Sequence, residues 1–275
     1  MKTRTPLVRL PFLLFLLVLA ATASRAEEPV PAATAAYNNY LVRLEGRLAQ
    51  QHRAAATFIA GLDSPARLAG PHQGQPVLEQ LNSDQLNSPA DADLPGALLH
   101  HWRGTAFIPG AHAADFEHLL RDFPAYPRVY APQVVSARTL STKGDRMQAL
   151  MRVRQKHVLT VVLDTTYDVT FARLDPARGF SVSHGTHVSE IADAGAAKER
   201  ALSATEQHGF LWRIDTYWSW AEQDGGLYIQ IESATLTRGI PRGLGWAIAP
   251  FIQSIPRESL EFTLRSTAAA LARRN

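Results

Sequence analysis

LYIQIESATLTRGIPRGLGWAIAPFIQSIPRESLEFTLRSTAAAL, residues 227–271, changes its hydrophobic period halfway along. Up to Thr237, Leu227, Ile229 and Ile231 alternate with polar or smaller neighbours, the period of a strand with one face buried. Beyond Gly243 the pattern turns helical. GLGWAIAPFI is a glycine-bracketed apolar segment interrupted by Pro250, and a proline inside a helix removes a hydrogen bond and kinks or ends it. Pro256, with Glu258 in the following turn, opens a terminal helix in which Leu260, Leu264, Ala268 and Leu271 share one face. A strand therefore runs directly into a kinked, largely apolar C-terminal helix.

Upstream lies a succession of strand-like stretches: PQVVSARTL, DRMQALMRVRQ, VLTVVLDTTYDVTFARL, GFSVSHGTHVSEI, HGFLWRIDTYWSW and GGLYIQIESATLT. Lys143-Gly144-Asp145 and Gln223-Asp224-Gly225-Gly226 are hairpin turns by composition, so the sheet is mostly antiparallel. Between Lys156 and Leu159 a turn is required without Gly or Pro. Before these strands, ALLHHWRGTAFI (97–108) is a strand closed by Pro109-Gly110. AHAADFEHLLRDF follows as a short helix with Phe116, Leu119, Leu120 and Phe123 on one face, stopped by Pro124.

This order, together with WRGTAFIPGAHAADFEHLLRDFPAYPR (102–128), LYIQIESATLTRGIP and the C-terminal helix phrase, resembles the START-like superfamily, also called SRPBCC or helix-grip, in its polyketide-cyclase, coenzyme Q-binding and lipid-transport branch. The resemblance spans roughly residues 98–272. It implies an α+β helix-grip fold: a curved antiparallel sheet of about six or seven strands wrapped around a long C-terminal helix, with a cavity between them.

The implied cavity gives a role to FLWRIDTYWSW (210–220), which holds three of the chain's five tryptophans. By strand alternation Phe210, Trp212, Ile214, Thr216, Trp218 and Trp220 face one way and Arg213, Asp215, Tyr217 and Ser219 the other. The apolar set should face the helix as a rigid wall with indole N–H donors, or fill a packed core. Ile229, Ile231 and Tyr167 join the same wall, and Trp246 and Phe251 face it from the helix.

Lys2, Arg4 and Arg9 precede LPFLLFLLVLAATA, an apolar run of 14 residues ending in ATASRA. That is the layout of a cleaved secretory signal, too short for the roughly 20 residues of a spanning helix. The expected organisation is a signal peptide over 1–26, an amphipathic helix over 27–60, a linker over 61–95 with QPVLEQL as a short strand, and the START-like domain over 96–275. In the first helix, Tyr37, Leu41, Leu44, Leu48, Ala55 and Ile59 form one stripe, which covers part of the domain or meets a protein partner. The product should be periplasmic or secreted. The chain contains no cysteine, which excludes disulfides, thiolate zinc sites and a catalytic thiol. A pI of 9.3 accompanies a net charge of only +3 with no concentrated basic stripe, so nucleic acid is not an expected partner, whereas contact with a membrane surface is compatible.

Arg152, Arg154 and Lys156 share a strand face, as do Asp164 and Asp168, and pairing of the two strands would build a ladder of opposite charge. Asp164 and Asp168 lie about 13 Å apart at strand rise, too far for paired acid-base work at about 5–9.5 Å. His184 and His187, three apart, should face opposite sides, as should adjacent His100 and His101, so neither pair is a metal site. No catalytic residue, metal or cofactor is expected. Glu232 sits mid-strand and points away from Ile231; a bulge would turn it inward as a polar cavity residue. The resemblance, with the expected export and the lack of a convergent acid-base set, implies a noncatalytic protein that holds a lipid, quinone or similar hydrophobic molecule. A cyclase or dehydratase-like enzyme and an interaction module with a packed core are the alternatives.

Overall fold

The computed structural model describes residues 28–61, 74–81, 94–156, 160–239 and 245–273, with the side chains of 245–253 outside the description. The signal sequence, much of the 61–95 segment and the turn at 157–159 lie outside the described residues. Helix α1 (Pro31–Gln51) starts with proline in its first turn, where the missing N–H costs nothing. Then come β1 (Val77–Leu81), β2 (Ala97–Pro109), α2 (Ala113–Arg121) and the single-turn α3 (Tyr126–Val129). The chain continues through β3 (Val134–Lys143), β4 (Arg146–Lys156), β5 (Thr160–Arg173), β6 (Arg178–Ala192), β7 (Arg200–Ala201), β8 (Arg213–Gln223) and β9 (Gly226–Arg238) to α4 (Gly245–Ala272).

The strands form one antiparallel, nine-stranded sheet in the order β1-β2-β9-β8-β6-β5-β4-β3, with β7 beside β6. The sheet has more strands than the six or seven expected: β7 is an unforeseen two-residue strand, and β1, the short strand expected from QPVLEQL, pairs with β2 as an edge. The β8–β9 hairpin turns on Asp224 and Gly225, with φ of 55° and 74°, the left-handed pair that matches strand twist in a two-residue loop.

α4 shows how the sheet bends. On β2, Gly104 lies so close to the helix that an added Cβ would fall 2.4 Å from a Leu264 methyl. Five strand positions away, Gln155 of β4 donates to Ser259 Oγ of the same helix at 3.1 Å. In a flat sheet those strands would be about 24 Å apart, and a helix is only about 10 Å wide. The sheet therefore curls round α4, the helix-grip arrangement, and leaves a trough with β9, β8 and β6 as its floor.

One end of the trough is closed by α2, whose Phe116 meets Trp218 and Trp220 edge to face at centroid distances of 5.3 and 5.5 Å. Leu260, Leu264 and Leu271 of α4 join this core. The outer face is covered by α1, which buries Ala33, Tyr37, Tyr40, Leu44 and Leu48. Its stripe stops sooner than the sequence suggests: the helix ends at Gln51, Ala55 is exposed, and Phe58 with Ile59 starts a second outer cluster against Phe107 and Tyr228.

Two expectations are corrected. α4 is one helix that continues through Pro250 and Pro256, since a proline removes one backbone hydrogen bond and its neighbours in the turn carry on. His184 and His187 lie on the same outer face, because a register shift inserts Thr186 between the pairs Tyr167–Gly185 and Thr166–His187. They remain separate, with His184 on Asp215 and His187 on Ser189. Among the described residues no group of His, Asp or Glu is arranged to hold a metal ion, and no helix is long and apolar enough to cross a membrane.

Candidate ligand-binding site

The inner face divides into a filled end and a half-open one. At the filled end Trp220, Leu227 and Ile229 are at most 1 % exposed, so no water-sized void touches them. Trp220 lies across Gly179, where an added Cβ would come within 2.4 Å of the indole. Tyr167, Trp218 and Ile231 belong to the same core. Between α2, α3 and the end of α4 lies a pocket of about 170 Å³ lined by Leu119, Asp122, Ala125, Arg128, Val129, Ala270 and Arg273. It is smaller than the roughly 300 Å³ at which small-molecule sites begin.

At the other end the inner-face apolar side chains are only partly covered: Leu78, Trp102, Met151, Ile214 and Phe262 pack against the core without being sealed by it. The floor there is polar. Ser183 of β6 pairs with Thr216 of β8, Thr216 with Ser233 of β9, and Ser233 with Trp102 of β2. All four are half-buried. Trp102 Nε1 is nonetheless sealed from water and has no hydrogen-bond partner among the described residues.

One buried histidine, His100, shares this inner face and pairs with Thr237 Oγ1 at 3.3 Å, but the largest cluster of ionisable groups lies on the opposite face, beneath α1. Glu232, 1 % exposed, accepts from Arg103 Nε at 2.8 Å and from His101 Nε2 at 3.1 Å, and is also bound by Arg47 of α1. With Nε2–H donated to the carboxylate, His101 Nδ1 accepts from the Tyr40 hydroxyl at 2.7 Å. Burial alone would raise the Glu232 pKa, but His101, Arg103 and Arg47 outweigh it and hold the carboxyl well below the usual range. Burial lowers His101, against the pull of Glu232, and takes His52 down to about 4. Beside this cluster Asp215 sits 2.7 Å from the Tyr37 hydroxyl and 2.7 Å from His184 Nδ1, and Tyr217 donates to Glu45 of α1 at 2.9 Å. The hydrogen bond to Asp215 raises the His184 pKa, and burial raises that of Tyr37.

Ile214, Trp218, Trp220, Ile229, Ile231 and Tyr167 share the inner face. Phe210 and Trp212 do not. Both precede β8, so strand alternation does not govern them: Trp212 packs into the outer cluster beside α1, and Phe210 is 39 % exposed and stacked on His208. The side chains of Trp246 and Phe251 lie outside the described residues. Glu232 faces outward, with no bulge in β9 to turn it, and is buried by α1 rather than solvated. Sequence reasoning misses Trp102, although Ala106 and Ile108, an even number of residues along the same strand, mark its face as the buried one. Tyr37 and Tyr40, on the buried stripe of α1, are the signal for a polar interface.

These features define a helix-grip fold: a curled antiparallel sheet gripping a C-terminal helix. No family model and no curated protein matches the chain. It is similar to solved structures, among them a STAR-related lipid transfer protein fragment from Xanthomonas axonopodis, at 16 % identity over 70 % of this chain and 98 % of that one, with a TM-score of 0.43. The Zhui aromatase/cyclase from Streptomyces sp. R1128 matches at 13 % identity over 64 % and 96 % of the two chains, TM-score 0.45. A protein from Thermus thermophilus matches at 13 % over 63 % and 97 %, TM-score 0.46. The helix-grip assignment rests on the topology described above.

Proposed function

We propose that this chain is an exported, noncatalytic protein that binds or transfers a hydrophobic small molecule or lipid in the trough between the sheet and α4. The observation that carries this is the half-open end of the inner face, where Leu78, Trp102, Met151, Ile214 and Phe262 are only partly buried against the core. Apolar surface held in a concave site is what a hydrophobic ligand covers favourably, at about 25 cal/mol per Å². Most acid-base groups that could serve a reaction are on the other side of the sheet, committed to α1, and His100, a buried histidine that shares the inner face with Trp102, is paired with Thr237 Oγ1 at 3.3 Å, which favours binding over cyclase chemistry. Export rests on the signal-like N-terminus.

Native mass spectrometry of the full gene product recovered from an exported fraction, with organic extraction of its adducts, tests both parts. A mass that begins near Glu27 and carries a stoichiometric hydrophobic adduct supports the proposal. Absence of the protein from the exported fraction refutes export, and a bare protein that stays bare after incubation with lipids and quinones refutes binding.

A further inference from the structure

The polar floor says more about the occupant. Across β6, β8, β9 and β2 the inner-face row reads Ser183, Thr216, Ser233, Trp102, four groups spanning about 14 Å at ordinary strand spacing. Among the described residues the three hydroxyls make no hydrogen bond, and they are half-buried rather than solvated. Trp102 ends the row with a buried N–H that has no acceptor among the described residues. A buried donor without a partner is rare in folded proteins and costs the free energy of its lost hydration. A trough built to hold only hydrocarbon would be lined by apolar side chains at these positions, as it is at Trp218, Ile229 and Ile231.

We infer that the trough takes an apolar molecule carrying a carbonyl or comparable oxygen acceptor along one edge, laid on the row Ser183, Thr216 and Ser233 and recognised at its end by Trp102 Nε1. This rests on the hydrophobic-ligand reading above and adds the chemistry of the ligand's polar edge. The hydroxyls can donate or accept, so they tolerate hydroxyl or ether oxygens. The indole only donates, and so requires an acceptor. Because Nε1 is sealed while the ring around it is half-buried, the acceptor reaches it with a small shift of the ring, and the ligand satisfies a donor that the empty protein leaves unpaired. An unfunctionalised acyl chain would gain nothing from this wall.

The test uses two probes of one shape, 9-fluorenone and fluorene, which differ by a single carbonyl. Binding of each to the full chain is measured by equilibrium dialysis, and the Trp102 indole ¹H–¹⁵N signal is followed in parallel. Fluorenone is expected to bind ~10-fold more tightly, the worth of one good buried hydrogen bond, and to move the Trp102 indole signal downfield where fluorene does not. Trp102→Phe should abolish the preference, and Ser233→Ala with Thr216→Val should reduce it. The indole signal of the unaltered protein decides the matter if Trp102→Phe does not fold. Equal affinity for the two probes overturns the polar-edge inference and leaves the hydrophobic-ligand reading intact. A preference that survives these substitutions overturns the assignment of the residues. If neither probe binds, both the inference and the reading beneath it fall.

Discussion

Replacing Glu232 with glutamine removes the charge at the centre of the buried interface between α1 and the sheet. The side chain keeps its size and one acceptor oxygen, so packing changes little and the effect isolates the charge. Three groups lose their partner. Arg103 is 11 % exposed and retains Glu79 at 3.5 Å as its remaining carboxylate, Arg47 is 24 % exposed, and His101 is buried. Breaking a buried ion pair costs about 3–5 kcal/mol. Arg47 can recover some hydration and Arg103 keeps one carboxylate, so the expected loss is about 3 kcal/mol, or a fall in Tm of about 6–10 °C for a domain of this size. Urea unfolding at pH 7 measures it, and amide exchange should show α1 losing protection before the sheet. The sign of the pH dependence follows. The Glu232 pKa is depressed in the folded state, so its contribution is present above the unfolded value of about 4.3 and is lost as pH falls below it. The variant should lose that part of the acid dependence. A loss under about 1 kcal/mol with α1 protection unchanged would refute the argument that this cluster holds the helix.

Three further outcomes are expected. Gly104→Ala places a methyl against Leu264 and Leu78 and should destabilise the fold by about 1–3 kcal/mol in urea unfolding, the usual cost of overpacking. His52 has its pKa lowered to about 4 by burial, so it opposes folding as pH falls from about 6.5, its unfolded value, toward 4; His52→Gln should flatten the stability curve in that window, measured as Tm against pH. Arg152→Gln breaks a pair with Asp164, at 2.6 and 2.8 Å, whose side chains are both over a fifth exposed, and should cost no more than about 1 kcal/mol, in contrast to Glu232.

The sheet and its closing helix were legible because period-two and period-3.6 patterns report one buried face each, and here every long element has one. Strand β9 and helix α4 show this most directly, with Leu227, Ile229, Ile231, Leu260 and Leu264 all in the core. What was not legible depended on the second face of the sheet. Alternation assigns Glu232, Asp215 and Tyr217 to a side but does not say whether water or a helix lies there, and the answer, α1, comes from a segment about 180 residues earlier. Local departures from the ladder were equally hidden: the extra residue at Thr186 carries His187 to the outer face, and the start of β8 at Arg213 frees Trp212 to join the wrong side.

The two faces also differ in how firmly they are closed, and that difference bears on function. Under α1, charged and hydroxyl groups satisfy one another in fixed geometry, Tyr40 to His101 to Glu232 to Arg103 and Arg47. Exposing such a network singly costs several kcal/mol at each broken charge pair, so α1 can leave only as a whole and at high cost. Under α4 the half-open end has the opposite character: apolar side chains partly uncovered and, among the described residues, hydroxyls unpaired and one donor unsatisfied. Filling that end with a ligand gains burial and hydrogen bonds without breaking any that exist. The outer face therefore stabilises the scaffold, and the inner face is where binding of the proposed ligand would change the energy of the molecule.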